Sequence, residues 1–480
     1  MRSTCDFQNF EDRHEHALSC SLGHMASVQN VQSQSAALKK ELGLGDLVLT
    51  QILYVVGSGW VGTAAKLGSS QVVYWTAAIA LFYLPLAMVV IYLNAKMPLE
   101  GGLYQWAKLG FNDFMGFFVG WNLWLYVILF MSALGVMLAT NLAYALGPEY
   151  AWMSSSKWFI AFVTCLLVVF LIVVTAIGLG LGKWFQNAGG VTQLLAFGAL
   201  IAMPLLCRHT GALRDYHPAM IAMPALSLFS LNVFGKMSMG ALSGFEYVAI
   251  LAGECRNPAR SIGLSVIIAT PVIAVMFILG TSSVLAFLPP EQVDLVGPIP
   301  QVLSIGFRSL GWAGPIAAIM ILLLAGRQIG AATLAVAGSA RLPMVAGWDH
   351  LLPGWFAKLH PKYRTPVNSI LFVGALILVT GLAGLIGVGH QESFQLLDNA
   401  SGIFYGISYL VMFALPLKLA APLWLRLAAL SGFLVTLLYT ILSIFPIVQV
   451  ESWFWFAAKI AGVVIGANLL GAFLFVSAKR

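Results

Sequence analysis

Apolar stretches of roughly 20 residues recur along most of this chain, and that repetition limits what it can fold into. In hydrocarbon no water satisfies backbone N–H and C=O groups, so each stretch must satisfy its own as a helix. A soluble protein with a very large core is the alternative. Run length argues against it, and so does surface chemistry. Charged residues are 9% of the chain, whereas soluble domains carry about 25%. The expected fold is an all-α integral membrane protein with about twelve transmembrane helices.

The segments are expected near Leu47–Leu67, Val72–Lys96, Phe114–Ala145, Trp158–Leu179, Phe185–Cys207, Leu226–Gly253, Ile262–Leu288, Ala313–Ala346, Val367–Val388, Ile403–Lys418, Leu425–Pro446 and Trp453–Val476. The tenth has an alternative start near Leu396. With the N-terminus cytoplasmic, Lys39, Lys40, Lys96, Lys108, Lys183, Arg256, Arg260, Arg341, Lys358 and Lys362 fall on the inner side. The outer loops hold only Lys157, Arg208, Arg214 and Arg308. This asymmetry predicts both termini in the cytoplasm and an even helix count. It also accounts for the net charge of +7: the basic residues set topology and meet anionic lipid rather than nucleic acid.

Residues 1–44 have another character, with clustered charges followed by a Ser/Gln-rich stretch and no apolar core of a signal peptide. They read as a disordered cytoplasmic tail, with Met25 as an alternative start. Five scattered cysteines (Cys5, Cys20, Cys165, Cys207 and Cys255) have no metal-ligand spacing, so neither a disulfide framework, a metal nor a cofactor is expected.

Two segments are interrupted at their middles. The first contains Gly57-Ser58-Gly59-Trp60 and Gly62, and the sixth contains Leu242-Ser243-Gly244-Phe245-Glu246. They begin two successive five-helix sets. Breaks at matching positions of two halves point to the binding site of a carrier. Glycine lets a ligand approach the backbone. The half-helix starting near Gly62 directs N–H groups and a positive dipole end at the midplane, which suits a carboxylate. Carbonyls ending the other halves near Gly57 and Leu242 suit an ammonium group. Packing of small residues is the competing explanation for either break taken alone.

Glu246 adds to this pattern. A carboxylate at a helix centre costs about 2.5–3.5 kcal/mol to insert and commonly marks a substrate or proton path. Its other reading is a structural acid bonding the unwound part of segment one. Lys236 either meets a carboxylate, substrate or protein, or snorkels outward. Arg327 either lines the cavity or bonds carbonyls. A membrane enzyme needs a nucleophile–base pair or metal ligands at depth, and all eight histidines are expected in the tail or loops. Gly178-Leu179-Gly180-Leu181-Gly182 lacks the preceding strand of a phosphate loop and reads as a hinge. A channel or a non-transporting sensor remains the alternative from another class.

Four ordered motifs resemble the amino acid permeases of the amino acid–polyamine–organocation superfamily over roughly residues 40–475. They are Gly57-Ser58-Gly59; Pro98-Leu99-Glu100-Gly101-Gly102 with Tyr104 and Trp106; Ser243-Gly244-Phe245-Glu246 running on to Gly253-Glu254-Cys255-Arg256-Asn257-Pro258; and Ser339-Ala340-Arg341 with Leu351-Leu352-Pro353 and His360-Pro361. The resemblance implies a LeuT-type 5+5 inverted repeat: residues 45–210, then 211–420, then two additional helices in 421–480. It implies that Gly57, Ser58, Gly59, Trp60, Gly62, Leu242, Ser243, Gly244, Phe245 and Glu246 bind substrate. Glu246, Gln193 and Lys236 would serve coupling or gating.

The implied function is secondary transport of amino acids across the plasma membrane, as a symporter or exchanger, with a proton or counter-substrate as partner. A polyamine or organic cation is the alternative substrate. Three departures stand out. Trp60 replaces a small or aliphatic residue and narrows the pocket. Gly240 stands where some exchangers of cationic substrates have an aromatic gate. Gln193 replaces a helix-five lysine that mimics sodium in some proton-coupled members, which leaves exchange or coupling through Glu246.

Overall fold

The computed structural model describes residues 29, 31–214, 216–218, 220–312, 314–385, 390–419, 421–447 and 452–479. Cys5, Cys20 and Met25 lie outside them, as do His14, His16 and His24.

The first segment is two helices, α1 (Leu44–Val55) and α2 (Ser58–Ala65), bent by 41°. The second runs from α3 (Gln71–Ala78) through a wide π turn at Ile79–Tyr83 into α4 (Leu84–Lys96). A short α5 (Leu103–Gly110) precedes the long third span, made of α6 (Asp113–Ser132) and α7 (Leu134–Leu146). Then come α8 (Lys157–Ile177) and α9 (Leu179–Leu206), with the Gly178 hinge between them at φ 103°.

The sixth segment consists of α10 (Leu228–Gly235), a π turn at Lys236–Ala241, non-helical residues and a single turn α11 (Tyr247–Ile250). Following it are α12 (Pro258–Phe287), a loop helix α13 (Pro298–Ser309), α14 (Pro315–Trp348), α15 (Val367–Ala383), α16 (His390–Lys418), α17 (Leu423–Leu442) and α18 (Trp453–Ala478). His390 thus opens a helix rather than lying in a loop.

Among the described residues nine spans are long and apolar enough to cross a bilayer, and the bent α1–α2 pair makes ten. The 17-residue α15 is shorter, and the sixth segment is split, so the expected twelve is not reached on length alone. Lipid explains the outer surface. Trp158, Leu166, Trp184, Leu469 and Phe473 are largely exposed, and an aqueous fold could not sustain such a belt.

Small residues bring the central helices together. A methyl on Gly330 of α14 would lie 2.7 Å from the Phe185 carbonyl of α9, and one on Gly189 of α9 would lie 3.2 Å from the Gly330 Cα. This close approach holds α9 and α14 beside α1, since Gly189 and Gly330 both face Leu53.

The expected disordered tail of residues 1–44 is corrected in its last part. Val31, Leu38 and Leu42 are buried. The N–H groups of Glu41 and Leu42 donate to the Glu254 carbonyl at 2.9 and 3.1 Å, and the Arg256 N–H donates to the Leu42 carbonyl at 3.0 Å. The Lys40 ammonium donates to the Gly253 carbonyl. Apolar burial and shared backbone bonds outweigh the ordering entropy that composition suggested.

Candidate functional site

The break in the first segment exposes the Val56 carbonyl, and two side chains claim it. Gln193 of α9 donates through Nε2 at 2.8 Å, and Arg327 of α14 donates through Nη1 at 3.2 Å. A second guanidinium nitrogen of Arg327 donates to the Ser58 hydroxyl at 3.3 Å. This carbonyl is therefore held by protein donors, where an ammonium group had been expected.

Gly244 in the second break has φ 123°, and its N–H donates to the Tyr409 hydroxyl at 2.8 Å. A methyl there would lie 2.7 Å from the Tyr54 ring, so glycine is required on both counts. Gln51 of α1 donates to the Phe245 carbonyl at 3.3 Å, tying the two breaks together.

Trp60 spans the space between them. A Cβ on Gly57 would come within 2.6 Å of its Cδ1, and one on Gly240 within 2.5 Å of its Cη2. The indole thus fills the room that a helix-six side chain would occupy.

A cavity opens beside these breaks. Of the predicted residues it is lined by Gly57, Ser58, Gly59, Trp60, Lys236 and Ser243. The others lie away from its wall. Gly62 faces the Asp294 carbonyl and Pro298, and a methyl on it would lie 3.0 Å from both. Leu242 is buried in the core, and Phe245 stacks on Tyr83 at 4.9 Å. Gln193 sits behind the first break.

Glu246 is fully buried and accepts hydrogen bonds from the hydroxyls of Tyr405 and Tyr409 on α16. Tyr405 in turn stacks on Tyr126 of α6, with ring centroids 4.0 Å apart. Tyr126 and Tyr405 line the cavity, so the carboxylate reaches it through Tyr405.

Lys236 is buried rather than snorkelled. Its ammonium donates to the Asn399 side chain at 2.6 Å and lies 3.9 Å from the Asp398 carboxylate. Desolvation explains the choice, since a buried cation needs a partner.

Sequence reasoning passed over Tyr126, Tyr405, Tyr409 and Asp398. A signal existed for Asp398, an acid within an otherwise membrane-crossing helix, as for Glu246. The tyrosines carried only the i, i+4 spacing of 405 and 409. Among the described residues no three His, Cys, Asp or Glu side chains gather as a metal site.

Charged side chains cluster at the end of the molecule where residues 31–44 dock. Arg341 of α14 pairs with Glu254 and lies 3.7 Å from Glu100. Glu100 accepts from the Gly253 N–H at 2.6 Å. Tyr104 and Lys108 both bond Asp349, at 2.7 and 2.6 Å. Burial, aided by the Glu254 charge, pushes the Glu100 carboxyl up to about 8, against the pull of Arg341. Burial also raises Glu254, with Arg341 opposing it.

Known proteins with comparable sequence or shape bear on this geometry. An uncharacterised transporter of Legionella pneumophila is 24% identical over 79% of this chain and 81% of its own. The cationic amino acid transporter 6 of Arabidopsis thaliana is 26% identical over 80% of this chain and 68% of its own. The branched-chain amino acid permease BcaP of Bacillus subtilis is 24% identical over 77% and 81%. The crystal structure of MhsT in complex with L-phenylalanine superposes with a TM-score of 0.62 at 15% identity, covering 84% of this chain and 98% of MhsT. The fold is accordingly LeuT-like. A family model described as amino acid permease matches residues 43–467, and the chain belongs to that family of membrane transporters.

Proposed function

We propose that this protein is a secondary carrier of amino acids that works by alternating access. The observation that carries the reading is a cavity beside two broken helices, with the buried Arg341–Glu254–Glu100 cluster outside its lining as the gate on the other side. A carrier needs a site reachable from one side while the other is closed. The relatives named for cationic and branched-chain amino acids, and the phenylalanine held by MhsT, support the substrate class.

In this reading residues 45–210 and 211–420 are the two inverted repeats. The first, second, sixth and seventh segments rock against the rest. The Ser58 and Gly59 end of α2 meets the substrate carboxylate. Tyr405 and Tyr126 form the cavity floor, and Glu246 sets their position, so movement of the floor is coupled to that carboxylate. The protein sits in the plasma membrane with both termini cytoplasmic. The driving partner is a proton or a counter-substrate.

Counterflow in proteoliposomes tests this. Internal unlabelled amino acid should accelerate entry of the labelled one, and entry should saturate. Conductance without saturation, or no trans-stimulation for any amino acid, overturns the carrier. Glu246→Gln should slow counterflow more than it weakens equilibrium binding.

A further inference from the structure

Among the described residues three charged side chains line the cavity: Lys236, Asp398 and Arg327. Lys236 and Asp398 neutralise one another at 3.9 Å. Arg327 stands apart. It is 5% exposed, its contacts are the neutral Val56 carbonyl and Ser58 hydroxyl, and its Nε has no hydrogen-bond partner among the described residues. A buried guanidinium without an anion is costly, and a planar donor fork of this kind matches a carboxylate. Its placement is specific: Val56 and Ser58 fix it beside the first turn of α2, whose free N–H groups also favour an anion.

Among the described residues the remaining wall is uncharged: Leu53, Phe130, Met131, Leu134 and Met137 stand beside Trp60, and its polar members, such as Thr63, Gln328, Gln395 and Ser401, are neutral. Among the described residues it holds no second carboxylate to neutralise a cationic side chain, and their lining charge is already positive by one.

We propose that Arg327 anchors the carboxylate of the bound amino acid, and that the substrates are neutral amino acids with apolar side chains. The proposal rests on the amino acid carrier reading above. It makes Arg327 a specificity residue, separating amino acids from polyamines, which lack the carboxylate. It also disfavours arginine and lysine, whose second cation would meet Arg327 and Lys236.

Equilibrium binding to the purified full chain tests it, using leucine and phenylalanine, their amides, the amines isopentylamine and phenethylamine, arginine and putrescine. Wild type should bind leucine or phenylalanine at least about 100-fold more tightly than the matching amide or amine. Arg327→Gln should cut that ratio by about tenfold or more, while leaving amine affinity unchanged. If Arg327→Gln does not yield monodisperse protein, Arg327→Lys takes its place, because it keeps the charge and loses the fork. A several-fold smaller carboxylate preference is then expected.

An undiminished preference in either folded variant overturns the assignment of Arg327. Arginine bound more tightly than both neutral amino acids overturns the substrate class. Both results leave the amino acid carrier standing. Binding of putrescine or the amines with no binding of any amino acid overturns the carrier reading itself, and this inference with it.

Discussion

Gly240→Ala tests whether Trp60 is wedged as the structure places it. The new methyl would lie 2.5 Å from Cη2, 2.9 Å from Cζ3 and 3.0 Å from Cζ2 of the indole. An ordinary contact begins at 3.4 Å, so the ring must retreat by about 0.9 Å. Gly57 faces the other end of the same ring, closely enough that a methyl there would be 2.6 Å away. Retreat therefore means leaving a good rotamer or pushing helix α2 aside. Overpacking of this kind costs about 1–3 kcal/mol.

Because Trp60 lines the cavity, that cost falls on ligand affinity, roughly a 5- to 150-fold loss at 1.4 kcal/mol per decade. The assay is equilibrium binding of the best amino acid ligand, with thermal unfolding as a control. Trp60→Phe should recover most of the lost affinity in the Gly240→Ala background, giving a coupling energy of about 0.5–3 kcal/mol. Wild-type affinity in Gly240→Ala, or simple addition of the two effects, would refute the wedge.

Three other perturbations follow from the packing. Glu100→Gln bears on pH. With its carboxyl raised to about 8 from an ordinary 4.5, the folded state holds the proton more tightly than the unfolded chain, so this group's contribution is complete below about pH 4.5 and is lost as pH rises through 8. Between about pH 4.5 and 8 the fall of a melting-temperature profile should flatten in the variant, and an unchanged slope counts against the assignment. Gly102→Ala places a residue at φ 47° with its Cβ 2.7 Å from the Ile250 nitrogen; backbone strain alone costs about 1–3 kcal/mol, and a sharp fall in folded yield by size-exclusion chromatography is expected. Lys236→Met leaves the Asp398 carboxylate without its cation, so melting should fall in the single variant and recover when Asp398→Asn is added.

The two helix breaks could be read from the chain because glycine-rich interruptions of apolar runs have few explanations in lipid. Glu246 could be read because an isolated acid there is expensive. What Glu246 touches could not. Tyr405 and Tyr409 sit 159 and 163 residues away, and tyrosine in an apolar helix is ordinary packing material until the fold brings it to a carboxylate. Arg327 is similar: its type announced a polar need, but only the α9–α14–α1 approach shows that Val56 and Ser58 meet it. Residues 31–44 misled for a different reason. Their polar composition describes the solvent-facing positions, whereas docking rests on Val31, Leu38 and Leu42 and on backbone bonds that composition does not register.

The single turn α11 and the residues after it are held by partners drawn from far along the chain. Lys40 reaches Gly253 across 213 positions, Glu100 reaches it across 153, and Arg341 reaches Glu254 across 87. Contacts so distant in sequence form late, because each must close a long loop before it returns any stability. During synthesis Lys40 and Glu100 are already available when residue 253 emerges, but the Arg341 partner of Glu254 is missing until residue 341 has left the ribosome. A chain halted before that point contains both broken helices but lacks the Arg341 pair that ties α14 to the end of the sixth segment.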